Sequence, residues 1–230
     1  MSRLAIISAM PGELKPLVRA WRHERRDGID LWTAPSGGIE RVAACAGAGC
    51  SAAARAFLEI EKGGPSDGVI SVGWAGALDA AFTPGSAYRI SWVVDASTGE
   101  RFPAAGGQEG CGLVTSPNVA GVEDKRRLAA AHGAVLVDME ASGLARLAAT
   151  RGIPFFCLKG VSDGPLERLP DFGRFISGRG RFKTASFLVF ALTRPRLWPA
   201  LARLGLHSER AARNIAAALS ESDFPPAQAR

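Results

Sequence analysis

Val137-Asp138-Met139-Glu140-Ala141, followed by Gly152-Ile153-Pro154-Phe155-Phe156 and then Gly160-Val161-Ser162-Asp163, is the most informative stretch of the chain. An apolar run, Ala134 to Val137, ends at Asp138 and Glu140, and a small-residue helix begins at Ala141. A second apolar run, Phe155 to Val161, ends at Ser162-Asp163. Three carboxylates thus stand at two chain reversals. In an open α/β sheet, ligands collect outside the carboxyl ends of the strands, so Asp138, Glu140 and Asp163 are expected to face one crevice.

Outward from that stretch the pattern alternates strand and helix. Strands are expected over Arg3 to Ala9, Gly28 to Ala34, Glu40 to Cys45, Gly68 to Val72, Ala87 to Val94 and Leu113 to Thr115. Helices are expected over Glu13 to Trp21, Ser51 to Lys62 and Val122 to Ala131. Gly63-Gly64-Pro65, Gly106-Gly107 and Gly178-Arg179-Gly180 read as turns. With no repeat and no long linker, residues 1–230 are expected to form one α/β domain. Gly47-Ala48-Gly49-Cys50-Ser51-Ala52 satisfies the dinucleotide-binding G-x-G-x-x-A form. It does not follow the first strand, however, and the next strand ends in Gly73 instead of an acid.

At 47% hydrophobic and 22% charged residues the chain can bury a core. The N-terminus lacks a signal-peptide pattern, and no apolar run reaches the roughly 18 residues that span a bilayer, so a cytoplasmic protein is expected. Cys45, Cys50, Cys111 and Cys157 form no C-x-x-C pair and read as reduced core thiols. The net charge of +6 is local: residues 174–213 hold nine of the 28 basic residues and one of the 22 acids, leaving 19 basic against 21 acidic elsewhere. Arg194, Arg196 and Arg203 are interleaved there with Phe187-Leu188-Val189-Phe190 and Leu197-Trp198. A basic amphipathic segment over about 184–213 suits either peripheral contact with an anionic membrane or ordinary packing on the sheet. No recognised nucleic-acid-binding motif accompanies the charge, so nucleic acid is not an expected partner.

Four segments in order resemble the nucleoside phosphorylase and nucleosidase family, in particular its methylthioadenosine/S-adenosylhomocysteine nucleosidase branch. Leu4 to Glu13 is similar to the first strand and ligand loop. Asp67 to Leu78 is similar to the central strand and its glycine turn, and Pro84-Gly85-Ser86 to the entry of the next strand. The Met139-Glu140 and Ser162-Asp163 pairs complete the set. The resemblance implies a three-layer αβα sandwich with a central mixed sheet, and an enzyme that cleaves the N-glycosidic bond of an adenine nucleoside as a homo-oligomer. It implies no metal and no cofactor, with phosphate as a co-substrate if the reaction is phosphorolytic.

Such cleavage passes through an oxocarbenium-like state and needs an acid for the departing base, hydrogen bonds to the sugar and a placed nucleophile. By resemblance Asp163 is the acid, Glu13 orients or deprotonates the nucleophile, Glu140 binds the ribose hydroxyls and Met139 floors the sugar. Asp138, Ser162, Gly12 and Gly76 are placed against the substrate as well. An apolar pocket behind Phe155 and Phe156 would help Asp163 keep a proton. Each residue also has a plain structural reading: Asp163 as a helix N-cap, Glu140 as a first-turn carboxylate and Met139 as core.

The chain departs from the family at the nucleophile. Trp74 stands where relatives carry a serine, and Lys159 where hydrolases carry an arginine. Met10-Pro11-Gly12-Glu13 combines the phosphorylases' Pro-Gly with the hydrolases' glutamate, so both water and phosphate stay open as nucleophile. These changes also admit an alternative: a catalytically impaired nucleoside-binding or membrane-associated protein of the same fold. Arg194-Pro195-Arg196-Leu197-Trp198-Pro199 and Ser208-Glu209-Arg210-Ala211-Ala212-Arg213 resemble the tail of hopanoid-associated nucleoside phosphorylases. That branch implies a lipid-linked substrate, adenosylhopane, and a role in hopanoid biosynthesis.

Overall fold

The computed structural model describes residues 2–34, 38–178 and 180–220. Its strands are β1 (Ser2–Ser8), β2 (Arg22–Arg26), β3 (Ile29–Thr33), β4 (Ile39–Cys45), β5 (Gly68–Ala77), β6 (Ala87–Arg89), β7 (Trp92–Asp95), β8 (Arg101–Pro103), β9 (Gly112–Thr115), β10 (Leu136–Asp138) and β11 (Phe155–Asp163). The helices are α1 (Pro11–Leu14), α2 (Cys50–Glu61), α3 (Val122–His132), α4 (Ala141–Arg151), α5 (Thr184–Leu192) and α6 (Trp198–Ser220).

All strands join one mixed sheet in the order β2-β3-β4-β1-β5-β10-β9-β7-β8, with β11 paired to β5 and β6. β5 is its axis. The first half of β5 runs parallel to β1, its last two residues pair antiparallel with β10, and β11 lies parallel along its other edge.

Side-chain alternation divides the core into two layers. From β1, Ala5 and Ile7 face a cluster with Ala53 and Phe57 of α2 and Leu144 of α4, while Leu4 and Ile6 face one with Leu14 of α1 and Ile215 and Leu219 of α6. Helices on both faces of a mixed sheet make the expected αβα sandwich. A Cβ on Gly160 of β11 would stand 2.7 Å from the Ala211 methyl, so the glycine lets α6 lie close on the sheet.

Several element boundaries differ from the sequence reading. The predicted helix from Glu13 to Trp21 is a single turn, because Pro16 has no N–H and crowds the turn before it. β2 was not expected, since Arg22-His23-Glu24-Arg25-Arg26 has no apolar face; it forms through a hairpin whose Asp27 and Gly28 have φ of 48° and 77°. The expected strand Ala87 to Val94 is two strands, β6 on β11 and β7 on β9. The expected glycine turn at Gly73-Trp74-Ala75-Gly76 is strand, because β11 pairs with it residue by residue from Lys159↔Gly73 to Val161↔Ala75.

The basic segment is two objects. α5 buries none of its residues, with Leu188, Val189 and Leu192 at 54, 64 and 69% exposure, whereas the second half of α6 packs on the sheet through Ala211, Ala212 and Ile215. Among the described residues no helix is long and apolar enough to cross a membrane. Arg179 of the predicted Gly178-Arg179-Gly180 turn lies outside the described residues. All four cysteines are free, and burial pushes the Cys111 and Cys157 thiols up to about 11 and about 12.

Candidate active site

The ends of β1, β5, β10 and β11 supply the floor and walls of a cavity of about 260 Å³. Phe172, Ile176 and Phe182, from the segment after β11, and Leu204 and Ser208 of α6 close over it.

Glu13 sits in the single turn of α1, 4% exposed. Its Oε2 accepts from the Ser8 hydroxyl, from the Ala9 N–H at 3.0 Å and from the Met10 N–H at 2.8 Å, and its Oε1 accepts from the Trp74 N–H at 2.8 Å. Four donors fix this carboxylate between β1 and β5. Gly73 makes the approach feasible: with φ of +143°, it has no side chain where a Cβ would stand 2.8 Å from Glu13 Oε1.

Glu140 stands at the entry to α4. Its Oε1 accepts from the Gly49 N–H at 2.8 Å, tying it to the start of α2. Gly47 N–H is likewise taken by the Ala9 carbonyl at 3.1 Å and Ala48 N–H by the Gly180 carbonyl at 2.8 Å, so the amides of Gly47, Ala48 and Gly49 in the glycine-rich turn are used within the fold. Burial, reinforced by the nearby Asp138 carboxylate, pushes the Glu140 carboxyl up to about 8.

Asp138 faces the cavity but is held largely for structure. Its Oδ2 accepts from the Ala141 N–H at 2.9 Å, capping α4, and its Oδ1 from the Thr115 hydroxyl at 2.7 Å. Lys159 Nζ lies 2.9 Å from Asp138 Oδ2 and 3.0 Å from Ser71 Oγ. Burial works against the Lys159 charge, but the Asp138 carboxylate, together with Cys157 and Glu140, outweighs it and raises the ammonium's pKa.

Asp163 ends β11 beside a bulge, 3% exposed. Its Oδ1 lies 2.6 Å from Ser162 Oγ, and its Oδ2 is ion-paired with Lys125 of α3.

Eight predicted positions, Glu13, Trp74, Gly76, Asp138, Met139, Glu140, Ser162 and Asp163, line this one cavity. Two do not. Lys159 is 1% exposed beneath Asp138, out of reach of a ligand, because the buried carboxylate holds it there. Gly12 lies behind Trp74, whose ring would be 3.2 Å from a Cβ at that position. Phe155 and Phe156 belong to the core clusters at the start of β11, so the expected apolar wall behind Asp163 is built instead from Val119, Ala120 and Val137 with the closing segment.

Lys125 was missed. It lies in the charged run Glu123-Asp124-Lys125-Arg126-Arg127, which reads as a solvated first helical turn. In the structure Lys125 and Leu128, one turn apart, are the buried residues of α3.

Trp74 separates two spaces. On its far side a groove of about 1200 Å³ runs past Val18, Trp21, Trp32, Phe187 and Leu201, and Trp74, Phe172, Phe182, Leu204 and Ser208 line both.

The fold has many solved counterparts. Over 99% of both chains it superposes with TM-score 0.71 and 16% identity on the apo 5′-methylthioadenosine nucleosidase of Arabidopsis thaliana. The 5′-methylthioadenosine/S-adenosylhomocysteine nucleosidase of Helicobacter pylori, bound to butyl-thio-DADMe-Immucillin-A, matches with TM-score 0.69 and 14% identity over 95% of this chain and 96% of its own. Futalosine hydrolase of the same organism gives 0.68 and 14% over 95% of each chain. No curated protein matches by sequence. The sequence profile of the phosphorylase superfamily matches residues 3–120 and 108–179, which span the strands and carboxylates just described, and the chain belongs to that superfamily.

Proposed function

We propose that the protein is an enzyme that cleaves the N-glycosidic bond of an adenine nucleoside, with water as nucleophile. The observation that carries this reading is the convergence of Glu13, Glu140 and Asp163 in one cavity. Water, oriented by Glu13, attacks the anomeric carbon and yields a proton to that carboxylate. The C1′–N9 pair leaves with the base, and Asp163 delivers a proton to N7. Glu140 hydrogen-bonds the ribose hydroxyls over Met139. Hydrolysis is favoured over phosphorolysis because, among the described residues lining the cavity, the one cation is Lys125, already paired with Asp163. A phosphate dianion needs charge-assisted donors.

A substrate whose 5′ substituent is large and apolar, adenosylhopane, is the reading that agrees with the tail. The exposed apolar surface of α5, with Arg194 and Arg196 just beyond it, supports peripheral contact with an anionic membrane. Adenine release from a panel of nucleosides, with and without phosphate, tests the activity. Asp163→Asn is expected to lower the rate by ~10²–10⁴-fold while binding survives. An Asn variant retaining more than about a tenth of the wild-type rate, with chemistry rate-limiting, would remove Asp163 as the acid.

A further inference from the structure

Lys125 is among the largest fully buried side chains of the protein and is the buried cation that contacts the candidate acid. It reaches Asp163 from the first turns of α3, past Gly76, where a Cβ would stand 3.1 Å from Lys125 Cε and 3.3 Å from Asp163 Oδ2. Its Nζ donates to Asp163 Oδ2 and, at 2.6 Å, to the Gly164 carbonyl. An ammonium has three donors, and two are thereby used. Lys125 also lines the cavity.

On the other side of Asp163, the Ser162 hydroxyl stands 2.6 Å from Asp163 Oδ1 and 3.2 Å from the Ala75 carbonyl. Asp163 is therefore gripped from both sides, by an ammonium and by a hydroxyl, which among the described residues are the hydrogen-bond donors to its side chain. Burying a lysine is costly unless it is paired, and a carboxylate pair of this kind is weak evidence of stabilisation. A function that uses the proton accounts for its position.

We infer that Lys125 supplies the proton that Asp163 hands to the departing base. This rests on the proposed N-glycosidase reading. In the resting pair the proton is on Nζ. When a nucleoside fills the cavity and displaces water, the proton passes from Nζ to Asp163 Oδ2, leaving a neutral amine and a neutral carboxylic acid. As the C1′–N9 bond breaks and its electron pair enters the base, the Asp163 O–H proton moves to N7 and the carboxylate is restored. After the base leaves, Glu13 releases the proton it took from the attacking water and Lys125 takes one up through solvent, so both groups return to their resting states and no net proton is consumed. Lys125 thus acts through Asp163, as a positioning and proton-supplying residue that need not touch the substrate.

The test compares two leaving groups in the full-length enzyme. Adenine must be protonated to leave, whereas p-nitrophenolate departs from p-nitrophenyl β-D-ribofuranoside without a proton. Lys125→Met is expected to lower kcat on adenosine by ~10²–10⁴-fold, the usual contribution of general acid catalysis. Cleavage of the nitrophenyl riboside should change by less than about threefold, well below that contribution. Lys125→Arg keeps a cation beside Asp163 but not a releasable proton, since guanidinium does not deprotonate in proteins. It should leave adenosine cleavage impaired. Equal losses on the two substrates, or recovery of adenosine cleavage in the Arg variant, would overturn proton supply. Should the Met variant not fold, Lys125→Gln, which retains an amide donor for Asp163 and Gly164, carries the same expectation. Wild-type protein that releases no adenine from any nucleoside of the panel, 5′-substituted ones included, would instead refute the glycosidase reading, so the two failures are distinct.

Discussion

Lys159 and Asp138 form an ion pair of 2.9 Å beneath the cavity floor, with side chains 1% and 0% exposed. The pair joins β11 to the end of β10, and the same carboxylate caps α4 through Ala141. Lys159 therefore neutralises a carboxylate next to Glu140 instead of meeting an anionic ligand.

Removing one partner of a buried pair leaves an uncompensated charge, at a cost of about 3–5 kcal/mol. Lys159→Met is expected to destabilise the fold by that amount in urea titration. Its phosphate dependence, measured on whatever fraction stays folded, should be the same as in the wild type. A variant of unchanged stability would show that the pair is not coupled to folding.

The Glu140 carboxyl, raised from its ordinary 4.5 to about 8 by burial and then by Asp138, makes stability pH-dependent. Between those values the folded state holds a proton that the unfolded state has lost, so this contribution is full below about pH 4.5 and is lost as pH rises toward about 8. Glu140→Gln should remove that slope. The urea midpoint of the variant is expected to gain on the wild type from pH 5 to pH 8, roughly the window of the shift. Parallel midpoints would place the Glu140 titration elsewhere.

Trp74 bridges β5 and α6 by donating its indole N–H to the Ser208 carbonyl at 2.9 Å. Trp74→Ser should join the cavity to the groove behind it and raise any dependence of the rate on phosphate. Loss of the ring should cost up to about 3–5 kcal/mol where the space cannot collapse. A stable variant with unaltered phosphate response would exclude Trp74 as the group that occupies the nucleophile side.

Arg194, Arg196 and Arg203 are exposed beside α5 and the first turns of α6. If this face meets an anionic bilayer, replacing the three with Gln should weaken binding to phosphatidylserine vesicles by about 1 kcal/mol, or roughly fivefold, per charge. The wild-type preference for anionic vesicles should fade with salt, since charges are screened beyond about 8 Å at physiological ionic strength. Cleavage of adenosine should be unaffected. Vesicle binding that ignores both lipid charge and salt would leave α5 without this partner.

The αβα layering came from the family resemblance, while by itself the sequence determined the alternation of strand and helix along the chain and the three carboxylates at chain reversals. These follow from signals within a few residues of each other: apolar runs that must be buried, small-residue helices, and acids where a strand ends. The hairpin at Asp27-Gly28 went unread, because the strand before it has no apolar pattern. Only the tertiary structure decided what stands next to each carboxylate. Lys159 and Lys125 are separated from their partners by 21 and 38 positions, and nothing local distinguishes a lysine that will be buried from one that will be solvated. The register of β11 on β5 turned an expected glycine turn into strand and set Trp74 between two cavities. Charge pairing and register are properties of surfaces brought together by the whole sheet, and no window of sequence contains both sides.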